Sequence, residues 1–339
     1  MTAANGVFII AEAGVNHNGS VKIAKKLVDA AVAAGADAVK FQTFNTELVV
    51  SRDTPKAEYQ KKATDKDETQ LEMLKGLELN ADDFKQLANY ARKKNIIFLS
   101  SPFDKKSVDL LDEIGVPSFK VASGEITNLP LLKYIAGKGR PVILSTGMSS
   151  LEEVEEAIKV IKDEGLKNIV LLHCVTSYPA KIEDVNLKTM QTMKSAFKLP
   201  VGFSDHTMGI TIPIAAVAQG ACMIEKHFTL GRNLPGPDHK ASLEPGELKE
   251  LVKAIRDVEK ALGDGIKRPT KGEERNKEIV RKSIIAKVDI PKGLKISKEM
   301  LDIKRPGTGI EPKFLNKVMG KRTRRDTKKD TLIEFKDLK

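Results

Sequence analysis

The sequence predicts an α/β protein, a (β/α)8 TIM barrel followed by a small C-terminal module, on three observations. Eight short runs rich in β-branched and aromatic residues alternate with amphipathic helical stretches, the order of a parallel sheet that closes on itself. Most of these runs stay apolar until their last residues, as strands buried on both faces should. Charge then divides the chain, with 34 Lys and Arg against 35 Asp and Glu in residues 1–266 but 23 against 11 in residues 267–339. A length of 339 residues accommodates one barrel of about 250 residues and one small extra domain.

In chain order the strand candidates are VFIIAEAG (7–14), AVKFQTF (38–44), IIFLSSPF (96–103), SFKVASGE (118–125), PVILSTGM (141–148), IVLLHCVTS (169–177), VGFSDH (201–206) and MIEKHFTL (223–230). Between the first two, SVKIAKKLVDAAVAAGA carries apolar residues at 23, 24, 27, 28 and 31, the spacing of one helix face. After the fifth, SSLEEVEEAIKVIKDEG offers a capping box, Ser149 with Glu152 or Ser150 with Glu153, and Gly165 as a stop. Residues 1–263 are thus assigned to the barrel, 264–282 to a polar linker with a short helix, and 283–339 to the basic module.

Composition narrows the functional classes. With 41% hydrophobic and 30% charged residues and no apolar run near the roughly 20 residues that span a bilayer, the chain reads as globular and outside the membrane. MTAANGVFII has neither a basic n-region nor a long apolar h-region, so no secretory signal is expected. Cys174 and Cys222, both in apolar runs, read as buried thiols of a cytoplasmic protein. The basic tail admits a nucleic-acid partner on charge alone. It lacks zinc-finger spacing and any RNA-binding signature, which makes an anion-attracting lid the favoured reading and nucleic acid the minor one.

Polar residues gather at the C-terminal strand ends, which in a barrel converge on one mouth where active sites are built. His206 and His227 end neighbouring strands beside the carboxylates Glu12 and Glu225, an arrangement in which two imidazoles share a divalent cation. Two nitrogens with carboxylate and water suit Mn, Fe, Co or Zn better than Mg or Ca. His173, earlier in its strand, suits packing. Lys40 and Lys120 point from apolar strands into the same mouth, where an unpaired ammonium is costly. With hydroxyls at Ser101, Ser123, Ser145 and Ser204 they form a cradle for a phosphate and a carboxylate. Pairing of each lysine with Glu12 or Glu125, and a Schiff-base role, are the competing readings.

EAGVNHNG, VKFQTF, FKVASGEI, LSTGMSS, LLHCVTSYP, GFSDHT, EKHFTL, PGPDHKAS and IKRPGTG, in that order over nearly the whole chain, resemble the sialic acid synthase family. The resemblance implies a TIM barrel with a C-terminal antifreeze-like (SAF) domain. It also implies condensation of phosphoenolpyruvate with N-acetylmannosamine and water to N-acetylneuraminate and phosphate, by C–O cleavage. An alternative acceptor is a diacetamido trideoxy (legionaminic-type) sugar or the 6-phosphate of N-acetylmannosamine. By the same resemblance His206 and His227 hold the metal, Mn2+ first, with Mg2+ or Co2+ as substitutes. Lys40, Ser101, Lys120, Ser123, Ser145, Thr176 and Ser204 bind phosphoenolpyruvate, while Glu12 and Glu125 transfer protons in an order the sequence leaves open. Gln42, Tyr178, Asp238 and the tail's Arg305 face the sugar, Asp205 stays structural, and the expected assembly is a domain-swapped homodimer.

Overall fold

Strand β1 (Phe8–Gly14) lies between β2 (Ala38–Thr43) and β8 (Met223–His227), parallel to both, so the first and last strands of the barrel are hydrogen-bonded neighbours. This computed structural model describes residues 6–64 and 67–339. The remaining strands are β3 (Ile97–Pro102), β4 (Phe119–Val121), β5 (Val142–Ser145), β6 (Ile169–Cys174) and β7 (Val201–Asp205). The strand order is β3-β2-β1-β8-β7-β6-β5-β4. β3 and β4 lie against each other and close the barrel. All eight predicted runs therefore form strands. β4 stops three residues into its run, because Ser123–Glu125 folds into a 3-10 turn at the mouth.

Alternation along each strand separates two cores. Phe8, Ile10, Ala38, Leu99, Ile143, Val170, Leu172 and Met223 fill the barrel interior. The intervening residues, among them Ile9, Val39, Phe41 and Phe203, pack outward against the helices. Gly202 also belongs to the interior layer, since a Cβ there would meet the Met223 carbonyl and the Leu172 side chain. The helix Val21–Ala34 buries Ala24, Leu27, Val28 and Ala31, and its end is set by Gly35 at φ 81°. The capping box of Leu151–Asp163 is made by Ser150 and Glu153, which settles the two sequence alternatives.

Contacts divide the chain into two units after Gly263. The second opens with the helix Lys271–Val280, inside the stretch read as linker, and continues with β9 (Ser283–Ala286) and β10 (Leu301–Lys304), which pair antiparallel. Ile284, Ile290, Ile296, Val318, Ile333 and Leu338 form its own core. Among the described residues, no helix is long and apolar enough to cross a membrane.

Candidate active site

Above the apolar interior, the last inward-facing residue or two of each strand are polar, except on β6, which ends in Cys174, and they enclose one cavity of about 650 Å³. Every barrel residue assigned above to catalysis, phosphoenolpyruvate, sugar or metal lines it. Arg305 belongs to the second unit, where it is exposed and its Nε donates to the Val280 carbonyl at 3.0 Å.

The floor is an ionic lattice. Lys40 Nζ lies 2.7 Å from Glu12 Oε2, 3.8 Å from Glu225 Oε2 and 3.1 Å from Ser101 Oγ. Lys120 Nζ lies 3.2 Å from Glu225 Oε1, which also accepts from Ser204 Oγ at 3.0 Å. Lys120 thus pairs with Glu225 and not with Glu125, because Glu225 shares the inward face of β8 with His227 while Glu125 sits on the turn beyond β4. The half-buried Glu125 instead accepts from Asn128 Nδ2 at 2.8 Å. Burial, resisted by Lys40 and helped by Glu225, pushes the Glu12 carboxyl up to about 7. Burial works against ionisation of Glu225 as well, but Lys120 and Lys40 together hold it below the usual carboxylate range. Burial also lowers Lys120, whereas the two carboxylates outweigh burial at Lys40 and raise it.

Two hydroxyls in this cavity, Ser145 Oγ and Thr176 Oγ1, are buried without a hydrogen-bond partner. Such orphaned groups are costly unless a ligand satisfies them. Ser123 Oγ accepts from the Gly147 amide at 3.0 Å, and Gly147 has to be glycine because a Cβ there would collide with Thr176 Oγ1 and Ser123. The turn after β5 is thereby pressed against the hydroxyl group of residues.

The imidazoles of His206 and His227 stand with ring centroids 5.4 Å apart. His206 Nδ1 donates to the Val175 carbonyl at 2.6 Å, which leaves Nε2 as the free lone pair. His227 Nδ1 is buried without a hydrogen-bond partner, 3.8 Å from Asp238 Oδ2. With His206 Nε2 free and His227 Nδ1 unpartnered, the two imidazoles are the groups here that would hold a divalent cation. No group of three His, Cys, Asp or Glu ligands forms among the described residues, so all but two positions of such a cation would fall to water and substrate. Tyr178 covers the pair, 4.0 Å from the His206 ring and edge-on to His227 at 5.6 Å. Burial pushes the Asp238 carboxyl up to about 6, and Gln42 Nε2 reaches Glu12 Oε1 at 3.4 Å.

Three residues join the site in ways the sequence did not show. Glu225 joins both lysines, and its signal was the alternation of Glu225 and His227 on one strand face. Cys174 lies 3.7 Å from His206 Nδ1; burial raises its thiol, but His206 outweighs this and lowers it. Tyr59, in the short helix Glu58–Ala63, sets its ring at a tilt against Tyr178 with centroids 4.9 Å apart, in a stretch whose sequence matched no substrate group. His173 Nε2 donates to the Val185 carbonyl, 2.6 Å away, and its ring packs against Phe203, in line with the packing reading. Asp205 turns away from the cavity to pair with Lys226, which fits its structural reading.

A parallel eight-stranded barrel whose mouth joins lysines, carboxylates, hydroxyls and an imidazole pair is the framework of an anion-handling enzyme. The chain belongs to the NeuB family, whose profile matches residues 27–267, with an SAF domain at 281–339. It is 55% identical to N,N'-diacetyllegionaminic acid synthase of Campylobacter jejuni over 96% of this chain and 98% of that one. It is 51% identical to the enzyme of the same name from Legionella pneumophila, over 93% and 90%. The crystal structure of an N-acetylneuraminic acid synthetase from Leptospira borgpetersenii in complex with citrate matches with a TM-score of 0.72. That match is 41% identical and covers 80% of this chain and 90% of that one.

Proposed function

We propose that the protein condenses phosphoenolpyruvate with a diacetamido trideoxy sugar and water to give N,N'-diacetyllegionaminic acid and phosphate. The observation that carries the reaction is the joining of Lys40 and Lys120 with the unpartnered hydroxyls of Ser145 and Thr176 in one buried mouth. The legionaminic acceptor is favoured over N-acetylmannosamine by the identity of 51% or more to two synthases of that name.

In this reading Lys40, Lys120, Ser101, Ser123, Ser145, Thr176 and Ser204 hold the phosphate and carboxylate of phosphoenolpyruvate. Its C3 forms the new bond to the aldehyde carbon, water adds at C2, and phosphate departs with the bridging oxygen. The aldehyde oxygen gains a proton and the attacking water loses one, work given to Glu12 and Glu125. Gln42, Tyr178 and Asp238 orient the sugar. His206 and His227 hold a divalent metal, Mn2+ first, which supplies Lewis-acid polarisation of the aldehyde oxygen when bound. Arg305 completes the mouth of a partner subunit in a domain-swapped homodimer.

Phosphate release is the test, run with phosphoenolpyruvate and each of the diacetamido trideoxy sugar, N-acetylmannosamine and its 6-phosphate. Release is expected only when phosphoenolpyruvate, sugar and divalent metal are all present, and fastest with the diacetamido sugar. Full activity after exhaustive chelation would overturn the metal assignment, and a faster rate with N-acetylmannosamine would overturn the acceptor.

A further inference from the structure

The cavity is chemically two-sided. Above the floor, where Ser101 and Ser204 end β3 and β7, hydroxyls of Ser123, Ser145, Thr176 and Ser177 come from the segments that follow β4 and β6 or end β5. Across the mouth, Val15, Phe44 and Phe103 follow β1, β2 and β3, and the helix Gln70–Leu77 lays Met73, Leu74 and Leu77 against them. Of these, Val15, Phe44, Met73 and Leu77 are buried and Leu74 is half-buried, yet all five line the cavity. This sector therefore presents an apolar patch to whatever enters, with Gln60 and Gln70 also lining the cavity. Among the described residues lining the cavity, Lys40 and Lys120 are the lysines or arginines, and both are engaged by carboxylates on the floor.

An enol phosphate with a carboxylate needs hydroxyl and ammonium donors, which fixes it to the floor and the β4–β6 side. The acceptor is left the opposite side, between Gln42, Asp238 and the apolar wall. We infer that this wall, with Leu74 at its accessible face, is a specificity subsite that receives a methyl-bearing end of the acceptor and disfavours a hydroxymethyl or phosphorylated end. A hydroxyl pressed against these side chains would lose its hydrogen bonds to water without replacement, and a phosphate would in addition lack a cation. The inference rests on the proposed condensation and sharpens it, because a trideoxy sugar ends in a methyl group where N-acetylmannosamine ends in CH2OH.

The experiment compares kcat/KM for the three sugars at saturating phosphoenolpyruvate in the wild type and in Leu74→Gln. The wild type is expected to favour the diacetamido trideoxy sugar over N-acetylmannosamine by about tenfold or more, the scale on which one such group is discriminated in a hydrophobic pocket. Leu74→Gln should erase most of that ratio through KM for the trideoxy sugar, with KM for phosphoenolpyruvate and the melting transition unchanged. Leu74→Ala introduces no polar group and reads the same loss if the glutamine variant fails to fold. An unchanged ratio in a folded Leu74 variant overturns the subsite, as does a wild type that prefers N-acetylmannosamine or its 6-phosphate. Absence of phosphate release with every sugar overturns the condensation itself and the subsite with it, so the two failures are told apart.

Discussion

Glu12 is the side chain whose ionisation is most finely placed. Its carboxyl, pushed up to about 7 by burial, is part protonated at neutral pH although Lys40 Nζ sits 2.7 Å away. Between about 4.5 and about 7 the folded chain holds a proton here that an unfolded chain has released, so this group's contribution to stability falls as pH rises through that window. Under the proposed condensation an anion arriving beside it would raise the carboxyl further, and Glu12 would then be placed to give a proton to the developing alkoxide. Phosphoenolpyruvate binding at pH 7 to 7.5 should then take up more protons in the wild type than in Glu12→Gln. Calorimetry in buffers of different ionisation enthalpy measures the difference. Equal uptake in the two proteins would show that Glu12 is already ionised or already neutral before the ligand arrives.

At the scale of elements, the ends of β7 and β8 are tied on the side facing away from the cavity. Lys226 Nζ is 2.6 Å from Asp205 Oδ2, both side chains are fully buried, and Asp205 Oδ1 accepts from the Thr207 amide at 2.9 Å. Each partner is adjacent in sequence to one of the two imidazoles. Lys226→Ala would leave a buried carboxylate unpaired at a cost of about 3–5 kcal/mol, while Asp205→Asn combined with Lys226→Met should recover most of it. Urea unfolding decides the matter, and a Lys226→Ala variant as stable as the wild type would refute the pair's structural role. This pair also marks what the sequence made legible. The period of two along each strand separated interior from exterior and put His206, His227, Lys40 and Lys120 in one mouth. It also set Asp205 on the face opposite His206, but not its pairing with Lys226, since partners across strands depend on register. Glu225 was seen beside the histidines, but its link to both lysines needed the pairing of Ser204 with Glu225. The apolar wall was illegible for another reason. It is assembled from loops after three strands and a short helix, where no periodicity ties a residue to a face.

At the scale of the whole molecule, the proposed swap turns on Arg305. In the second unit the RPGTG turn is held to the helix Lys271–Val280 by the Gly307 amide, which donates to the Glu278 carbonyl at 2.7 Å, and by Arg305 Nε on Val280. A Cβ at Gly307 would collide with Arg281 and the Lys277 carbonyl, so the glycine lets the turn lie close to the helix. One guanidinium nitrogen is thus spent on anchoring, and under the proposed function the other two would meet an acyl carbonyl. Under the proposed swap, Arg305 serves the partner's mouth, and two inactive variants should rescue one another. His227→Ala damages only the barrel and Arg305→Ala only the tail. After subunit exchange in an equal mixture, about half the dimers are mixed, and each mixed dimer holds one site with both parts intact. Roughly a quarter of wild-type phosphate release should return. If Arg305 instead serves its own barrel, every site in the mixed dimer keeps one lesion, and a mixture that stays inactive after exchange has been demonstrated by mass-tagged subunits would refute action in trans.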